Sequence, residues 1–201
     1  MLGIATLRTV VVSGVLLALS ACAGGNFRAP SDFPVKIGRP YVVRGVTFVP
    51  AADPDYDVLG YASWYGGESG NRTALGERFR PEWITGAHTT LPLPTYVEVT
   101  ALATGRRIVV RINDRGPFVP GPRIIDLSRG AAERLGIRAA GQAAVRVRRI
   151  DPSPTERRRL LRGQPTSDLP AVTQRVLDNL RLQFAAAGLS LSGNRPLPNG
   201  R

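Results

Sequence analysis

The chain is poor in residues that bind metals or act as nucleophiles: it has one cysteine, Cys22, and one histidine, His88. Zinc sites are built from closely spaced Cys and His ligands, and the sequence holds no such cluster. One histidine among many serines gives no readable Ser–His–Asp arrangement, and no glycine-rich phosphate loop precedes a helix. We therefore predict neither a metal nor a cofactor.

Lysine is nearly absent as well, since Lys36 is the one lysine among 27 basic residues. With 15 acidic residues, the formal net charge is +12, and the excess falls after residue 59. A balance of this sign favours anionic surroundings, such as nucleic acid, anionic lipid or a carboxylate-rich polymer. An arginine-rich solvated surface explains the charge equally well.

Long apolar runs are lacking too. The N-terminal run, residues 10–19, is apolar except for Ser13 and Gly14. It is too short for a permanent transmembrane helix but fits the core of a signal peptide. The run leads into Leu19-Ser20-Ala21-Cys22, which matches the lipobox cleaved by the lipoprotein signal peptidase. We therefore predict a cleavable signal over residues 1–21.

Cys22 is the expected site of lipidation. A lone thiol in an oxidising compartment is a liability unless it is modified; the alternative is an ordinary signal peptide with a chance cysteine. Ala23 after the cysteine, in place of aspartate, predicts sorting to the outer membrane, with the protein facing the periplasm. Export also makes nucleic acid an unfavourable partner.

Three segments follow the signal. Residues 22–58 contain many Pro and Gly residues and are predicted to be a tether, with a strand or hairpin at 41–43 and 46–49. Residues 59–150 are predicted to form a compact domain, and residues 151–201 a helical extension with a disordered tail. In the extension we expect a basic helix over 155–162 and an amphipathic helix from Ser167-Asp168 to Gly188. That last helix would pack on its own domain, or else on a membrane or partner.

The central segment is mainly β in pattern. Alternating or buried apolar runs predict strands at 59–65, 95–102, 107–113, 124–127 and 143–150. Ser128 is expected to cap a short helix that Gly136 ends. Many short strands with one short helix favour a small closed barrel over an open sheet.

Carboxylates are the remaining candidates for chemistry. Glu77, Asp114 and Asp126 lie in unusual surroundings, and His88 lies in a Gly- and Thr-containing stretch. Cleavage of a glycosidic bond requires one group to protonate the leaving oxygen and another to stabilise or take up charge. Taken singly, each of these residues is explained as well by a structural role.

Five motifs in fixed order strengthen the catalytic interpretation: GYASWYG (60–66), TALGE (73–77), AHTTLP (87–92), NDRGPF (113–118) and RIIDLS (123–128). Together with the lipoprotein signal, they strongly resemble the rare lipoprotein A (RlpA) family over about residues 59–150. The resemblance implies a six-stranded double-psi β-barrel, the fold of expansins and MltA-type lytic transglycosylases. It also implies an endolytic peptidoglycan transglycosylase that prefers strands without stem peptides and works at the septum or in daughter-cell separation.

The resemblance assigns functional positions to Glu77, His88 and Asp114, with Asp126 in an expansin-like Asp-Leu-Ser motif. In the implied reaction, a carboxylic acid protonates the oxygen after N-acetylmuramic acid, and the sugar's own C6 hydroxyl closes a 1,6-anhydro ring. The apolar neighbours of Asp126 favour it as the acid, because burial raises a carboxyl pKa. The family pattern favours Asp114, although Arg115 adjoins it.

Further residues are predicted to bind substrate. Trp64 and Tyr65 could stack on sugars, although buried barrel aromatics are an equal alternative. Arginines near the motifs could hold acetamido or lactyl oxygens. The full predicted binding set is Trp64, Tyr65, Thr73, Arg111, Arg115 and Arg123.

The chain also departs from the family pattern. Compared with the family pattern, the stretch 68–72 is shorter by one residue and the loop 118–122 is longer by one residue. Residues 151–201 are too few for a glycan-binding SPOR domain. A non-catalytic, expansin-like glycan binder and a structural lipoprotein with a vestigial groove are the alternatives. Expected partners are peptidoglycan, the membrane through the anchor, and cell-division or other envelope proteins.

Overall fold

A computed structural model describes residues 26–119 and 121–191. The predicted signal peptide, the lipidation site Cys22 and residues 192–201 lie outside the described residues. Within the described residues, no helix is long and apolar enough to cross a membrane.

Eight strands and three helices make up the described chain. The strands are β1 Tyr41–Val43, β2 Val46–Phe48, β3 Asp57–Tyr65, β4 Thr85–Ala87, β5 Thr95–Ala101, β6 Arg107–Asp114, β7 Arg123–Ser128 and β8 Gln142–Arg149. The helices are α1 Arg129–Leu135, α2 Pro154–Leu161 and α3 Gln174–Ala186.

Six of the strands close into a barrel in the order β3-β7-β4-β6-β5-β8, while β1 and β2 pair as a separate hairpin. The pairs β3–β7 and β4–β6 are parallel, and the other barrel pairs are antiparallel. This mixed six-stranded barrel is consistent with a double-psi β-barrel, which confirms the expected fold class.

The barrel core comes from the alternating runs of the sequence. Its fully buried side chains include Val97, Val99, Val110, Ile112, Ile125, Leu127, Val145 and Val147. Burying apolar side chains of this size stabilises the fold by about 1.5–3 kcal/mol each. The rigid barrel thereby fixes the strand ends on which the candidate site residues lie.

Helix α1 begins and ends as the sequence predicts. The Ser128 hydroxyl accepts a hydrogen bond from the Ala131 N–H, and Gly136 ends the helix in the left-handed conformation. Gly130 lets the helix approach the preceding loop closely: a Cβ there would lie 2.2 Å from the Glu82 carbonyl oxygen.

Two elements differ from the sequence expectations. Strand β4 was not predicted, because its three residues, Thr85–Ala87, are too few to show a period. Helix α3 begins at Gln174 rather than near Asp168. The reason is that residues 170–172 bind the barrel in extended form: Arg107 donates to the Pro170 carbonyl, and Val172 N–H donates to the Gly105 carbonyl.

Candidate active site

Two carboxyl groups flank the short strand β4. Ala87 pairs with Asp114 of β6 on one side and with Asp126 of β7 on the other. Adjacent strands lie about 4.8 Å apart, so the two aspartate Cα atoms are separated by about 10 Å. The next strand, β3, extends the row by pairing Ser63 with Asp126.

Two strand irregularities create this alignment. The register between β4 and β6 shifts between Gly86 and Ala87, so that Asn113 is passed over and Asp114 meets Ala87. A second shift, between Tyr61 and Ala62, brings Ser63 level with Asp126. Bulges commonly re-aim side chains next to active sites.

Gly116 adjoins Ala87 and the Asp126 carboxyl group without a side chain of its own. Its φ of +141° is one that glycine tolerates. A Cβ at this position would lie 3.5 Å from the Ala87 Cβ and 3.7 Å from Asp126 Oδ2. A side chain at position 116 would therefore contact Ala87 and the Asp126 carboxyl group.

Asp114 is held by backbone donors. Its Oδ1 accepts hydrogen bonds from Ala74 N–H at 2.7 Å and from Arg115 N–H at 2.8 Å. Burial raises the pKa of Asp114, and these two bonds, followed by the Arg115 charge, oppose that rise. The Arg115 guanidinium donates to the carbonyls of His88, Leu91 and Ile37 instead.

Asp126 has an ionic partner. Its Oδ1 accepts a hydrogen bond from the Ser63 hydroxyl at 2.6 Å and lies 3.0 Å from Arg123 Nε. Burial raises the pKa of Asp126, while the Ser63 bond and the Arg123 charge act in the opposite direction. Of the two aspartates, Asp126 is therefore the one whose carboxylate pairs directly with a guanidinium, which favours its ionised form, while the Arg115 charge acts on Asp114 without such a pair.

The two aromatic candidates separate onto opposite faces of β3. Tyr65 stacks on Phe79 with ring centroids 4.7 Å apart, and burial raises its pKa well above 10, with further increases from Asp114 and Asp126. Its buried hydroxyl has no hydrogen-bond partner within the described chain. Trp64 donates from its indole N–H to the Arg138 carbonyl at 3.2 Å. Since side chains alternate along a strand, Trp64 points away from Tyr65.

Glu77 lies behind Asp114 in a buried charge network. Its carboxylate binds the Arg111 guanidinium through two hydrogen bonds of 2.8 Å and accepts a third, also 2.8 Å, from Asn113 Nδ2. Glu77 and Arg111 are each 1% exposed. Thr73, also buried, accepts a hydrogen bond from Glu77 N–H.

His88 is buried and uncharged. Its Nδ1 accepts from the N–H groups of Thr90 and Leu91, so the proton lies on Nε2, which faces the Tyr56 hydroxyl at 2.9 Å. Burial lowers the pKa of His88 to about 3, with a smaller contribution from the Arg115 charge. The His88 backbone N–H donates to the Asp114 carbonyl at 3.1 Å.

The structure thus places the sequence-predicted residues in three settings. Asp114, Asp126, Tyr65 and Arg123 form one group, since both aspartates raise the pKa of Tyr65 and Arg123 pairs with Asp126. A second group makes hydrogen bonds within the protein: Glu77, His88, Thr73, Arg111 and Arg115. Trp64 belongs to neither group and lies on the opposite face of β3. Sequence reasoning missed Ser63, Asn113 and Tyr56, although alternation along β3 puts Ser63 on the same face as Tyr65 and could have indicated it.

Within the described residues, no three His, Cys, Asp or Glu side chains converge as a metal-ligand set. A cavity of about 300 Å³ opens elsewhere on the barrel, lined by Asp32, Phe33, Tyr96 and Arg157 among others. Asp114 and Asp126 are not among its lining residues, so this cavity is separate from the pair of aspartates.

Comparison with known proteins matches the barrel to one family. The double-psi β-barrel family described as "Lytic transglycolase" matches residues 57–147. The endolytic peptidoglycan transglycosylase RlpA of Yersinia pestis is 49% identical over 116 residues, covering 57% of this chain and 32% of that protein. Its namesake in Pseudomonas aeruginosa is 50% identical over 116 residues, covering 57% and 34%. The Rickettsia felis namesake is 41% identical over 126 residues, covering 61% and 54%.

The chain therefore spans about a third to a half of the length of these curated relatives. Among solved structures, the Streptomyces papain inhibitor (SPI) covers 50% of this chain and 100% of its own, at 20% identity and a TM-score of 0.42. That likeness is too weak to inform function. The family match, the sequence identity and the closed barrel agree with one another: residues 57–147 form a barrel of the lytic transglycolase double-psi β-barrel family, similar to that of the RlpA proteins.

Proposed function

We propose that this chain is an endolytic lytic transglycosylase that cleaves peptidoglycan between N-acetylmuramic acid and N-acetylglucosamine. The observation that carries the proposal is the pair of aspartates, Asp114 and Asp126, on either side of Ala87. Burial raises the pKa of both, which is what a carboxylic acid needs in order to hold a proton near neutral pH. The names of the relatives, endolytic peptidoglycan transglycosylase, support the same activity.

Asp114 is the general acid in this proposal. The Asp114 carboxylate accepts from two neutral backbone N–H groups and makes no direct ion pair, whereas the Asp126 carboxylate pairs directly with Arg123, so we assign the proton to Asp114. Asp114 protonates the glycosidic oxygen as the bond to C1 of N-acetylmuramic acid breaks, and the Asp126 carboxylate stabilises the positive charge that develops on the sugar. The C6 hydroxyl oxygen then bonds to C1 and returns its proton to Asp114. No water is consumed, and the product is a 1,6-anhydro sugar.

Glu77 and His88 act by positioning in this scheme. Glu77 is ion-paired with Arg111 and fixes the 73–77 turn, whose Ala74 N–H binds Asp114. His88 holds the 88–91 loop through its ring and holds Asp114 through its backbone N–H. Both side chains are almost fully buried, which favours this role over direct contact with glycan.

The decisive experiment is digestion of purified sacculi, with and without stem peptides, followed by mass spectrometry of the released fragments. Wild-type protein should release anhydro-ended fragments, faster from stripped strands. Asp114→Asn and Asp126→Asn should each reduce the rate by about 10²–10⁴-fold, the usual worth of general acid–base groups. Asp55→Asn, at an exposed position, is the matched control.

Two outcomes would contradict the proposal. Undiminished anhydro product from Asp114→Asn would remove this residue from the chemistry. Sedimentation of the wild-type protein with sacculi, without any product, would favour the expansin-like binding module instead.

The cellular setting is part of the same proposal. The lipobox before Cys22 and the following Ala23 support a lipid-anchored protein of the outer membrane that faces the periplasm. From there it would reach peptidoglycan during septal remodelling, and cell-division or other envelope proteins would be its neighbours.

A further inference from the structure

We propose that the segment before the barrel, residues 26–51, is a working part of the active site, with Asp32 as a positioning residue. The proposal rests on the function proposed above and extends it to a segment that lies outside the matched family domain, residues 57–147. We call residues 26–51 the strap.

The strap completes the buried charge network behind the site. One side of the Arg111 guanidinium binds Glu77 through two hydrogen bonds. On its other side, Nη2 donates to the Ser31 carbonyl at 2.7 Å, and Nε lies 3.4 Å from Asp32 Oδ1. The most deeply buried cation of the site is therefore shared between the barrel and the strap.

Asp32 is itself held in place. The Tyr96 hydroxyl donates to its carboxylate, with distances of 2.8 and 3.0 Å to the two oxygens. The Tyr96 ring is covered on one face by the Arg157 guanidinium, 5.4 Å from the ring centroid. Only 12% of the Asp32 side chain is exposed. An incidental surface contact would not bring together this many fixed partners.

One path leads from Asp32 to the proposed acid through the 73–77 turn. Arg111 holds Glu77, whose carbonyl accepts from Thr73 N–H at 2.9 Å to close the turn. The strap also binds the turn directly, since Arg28 N–H donates to the Gly76 carbonyl at 2.8 Å. The turn delivers Ala74 N–H to Asp114 Oδ1.

A second path reaches the same oxygen through Arg115. The Arg115 guanidinium donates to the Ile37 carbonyl of the strap at 2.8 Å, while the Arg115 backbone N–H donates to Asp114 Oδ1. Both backbone donors to the Asp114 carboxylate therefore belong to loops that the strap fastens. The strap determines how firmly those donors are held, and so the position and proton affinity of Asp114.

The test is Asp32→Asn in the full chain, which removes the charge and keeps the side-chain shape. On soluble, stem-peptide-free glycan, kcat should fall about 10- to 100-fold, the cost of a small misplacement of a reacting group. The glycan concentration for half-maximal rate should stay nearly constant, because Asp32 does not touch substrate. Asp55→Asn is again the control.

The pH profile separates positioning from general loss of structure. The Ala74 hydrogen bond opposes the burial that raises the pKa of Asp114. If Asp32→Asn loosens that bond, the pKa of Asp114 rises further, and the alkaline limb of the rate profile moves to higher pH. Tyr96→Phe, which removes only the hydroxyl that fixes Asp32, should shift the limb in the same direction by a smaller amount.

Amide hydrogen exchange tests the strap without relying on activity. In Asp32→Asn the amides of Ala74 and Arg115 should exchange faster, while those of the core strand β5 keep their protection. Unchanged exchange at Ala74 and Arg115 in both variants would overturn the proposal. So would an unchanged kcat together with an unchanged alkaline limb of the pH–rate profile. Faster exchange with no anhydro product even from the wild type would support the strap and reject the transglycosylase function. If Asp32→Asn does not fold, Tyr96→Phe carries the test.

Discussion

At the scale of single residues, burial decides what a motif residue can do. His88 belongs to a stretch that resembles a catalytic motif, yet both of its ring nitrogens are engaged inside the protein. Glu77 belongs to another such stretch, and its carboxylate is saturated by Arg111 and Asn113. A side chain that is 1–2% exposed cannot reach a polymer, so its influence passes through the neighbours it holds.

The depressed pKa of His88 predicts how the free energy of unfolding changes with pH. Its value is about 3 in the folded protein and about 6.5 in an unfolded chain. Between these values the unfolded state binds a proton that the folded state does not, so stability falls as the pH falls through this window. The contribution is at most about 1.4 kcal/mol per pH unit. Urea unfolding at pH 7, 6 and 5 should therefore show a steeper loss for wild type than for His88→Gln.

Asp114 and Asp126 change the stability with pH in the direction opposite to His88, so wild type must be compared with His88→Gln. Asp114 and Asp126 have raised pKa values, so the folded state holds their protons to higher pH and gains stability on acidification. Because both proteins contain these groups, the difference between wild type and His88→Gln isolates the histidine. Equal slopes, or an NMR titration of His88 near pH 6.5, would contradict the assignment.

At the scale of elements, helix α3 shows how the extension joins the barrel. Its buried residues Leu177, Leu180 and Phe184 lie on one face. Phe184 meets the Tyr61 ring edge to face at 5.4 Å, and Arg181 donates to the carbonyls of Leu102 and Ala103. The helix therefore packs on its own domain, which is the simpler of the two roles that its apolar stripe allowed.

Phe184→Ala should destabilise the protein by about 3–5 kcal/mol, because it leaves a cavity where a fully buried ring stood. Leu182→Ala, on the same helix but 68% exposed, should stay within about 0.5 kcal/mol of wild type. Urea denaturation monitored by circular dichroism measures both. Similar values for the two variants would mean that α3 is not docked in solution.

At the scale of the whole molecule, we expect lipidation at Cys22 to tie the protein to a membrane. The lipobox, the single cysteine and the net charge of +12 all belong to the sequence, and Cys22 lies outside the described residues. Acyl chains contribute about 0.8 kcal/mol of membrane affinity per buried CH₂, so two or three chains anchor firmly.

We expect mass spectrometry of the mature protein to find an N-terminal peptide that begins at Cys22 and carries acyl chains. A Cys22→Ala variant should carry no acyl mass, and its barrel should retain glycan cleavage in detergent extracts. An N-terminus at another residue, with a free thiol at Cys22, would contradict lipidation and support the alternative of an ordinary signal peptide.

Local physics in the sequence determined most elements and the family. Alternation predicted the β5–β6 hairpin, and Ser128 and Gly136 fixed the ends of α1, because period and capping are short-range properties. The five motifs identified the family because their order and spacing are written in the chain itself.

Only the tertiary structure decided which of those residues meet. The register shift between β4 and β6 brings Asp114 level with Ala87, opposite Asp126. Arg111 is withdrawn into a buried ion pair with Glu77, and Asp32 contacts Arg111 from outside the barrel. Register and burial depend on strands that are distant in sequence, so no local pattern encodes them.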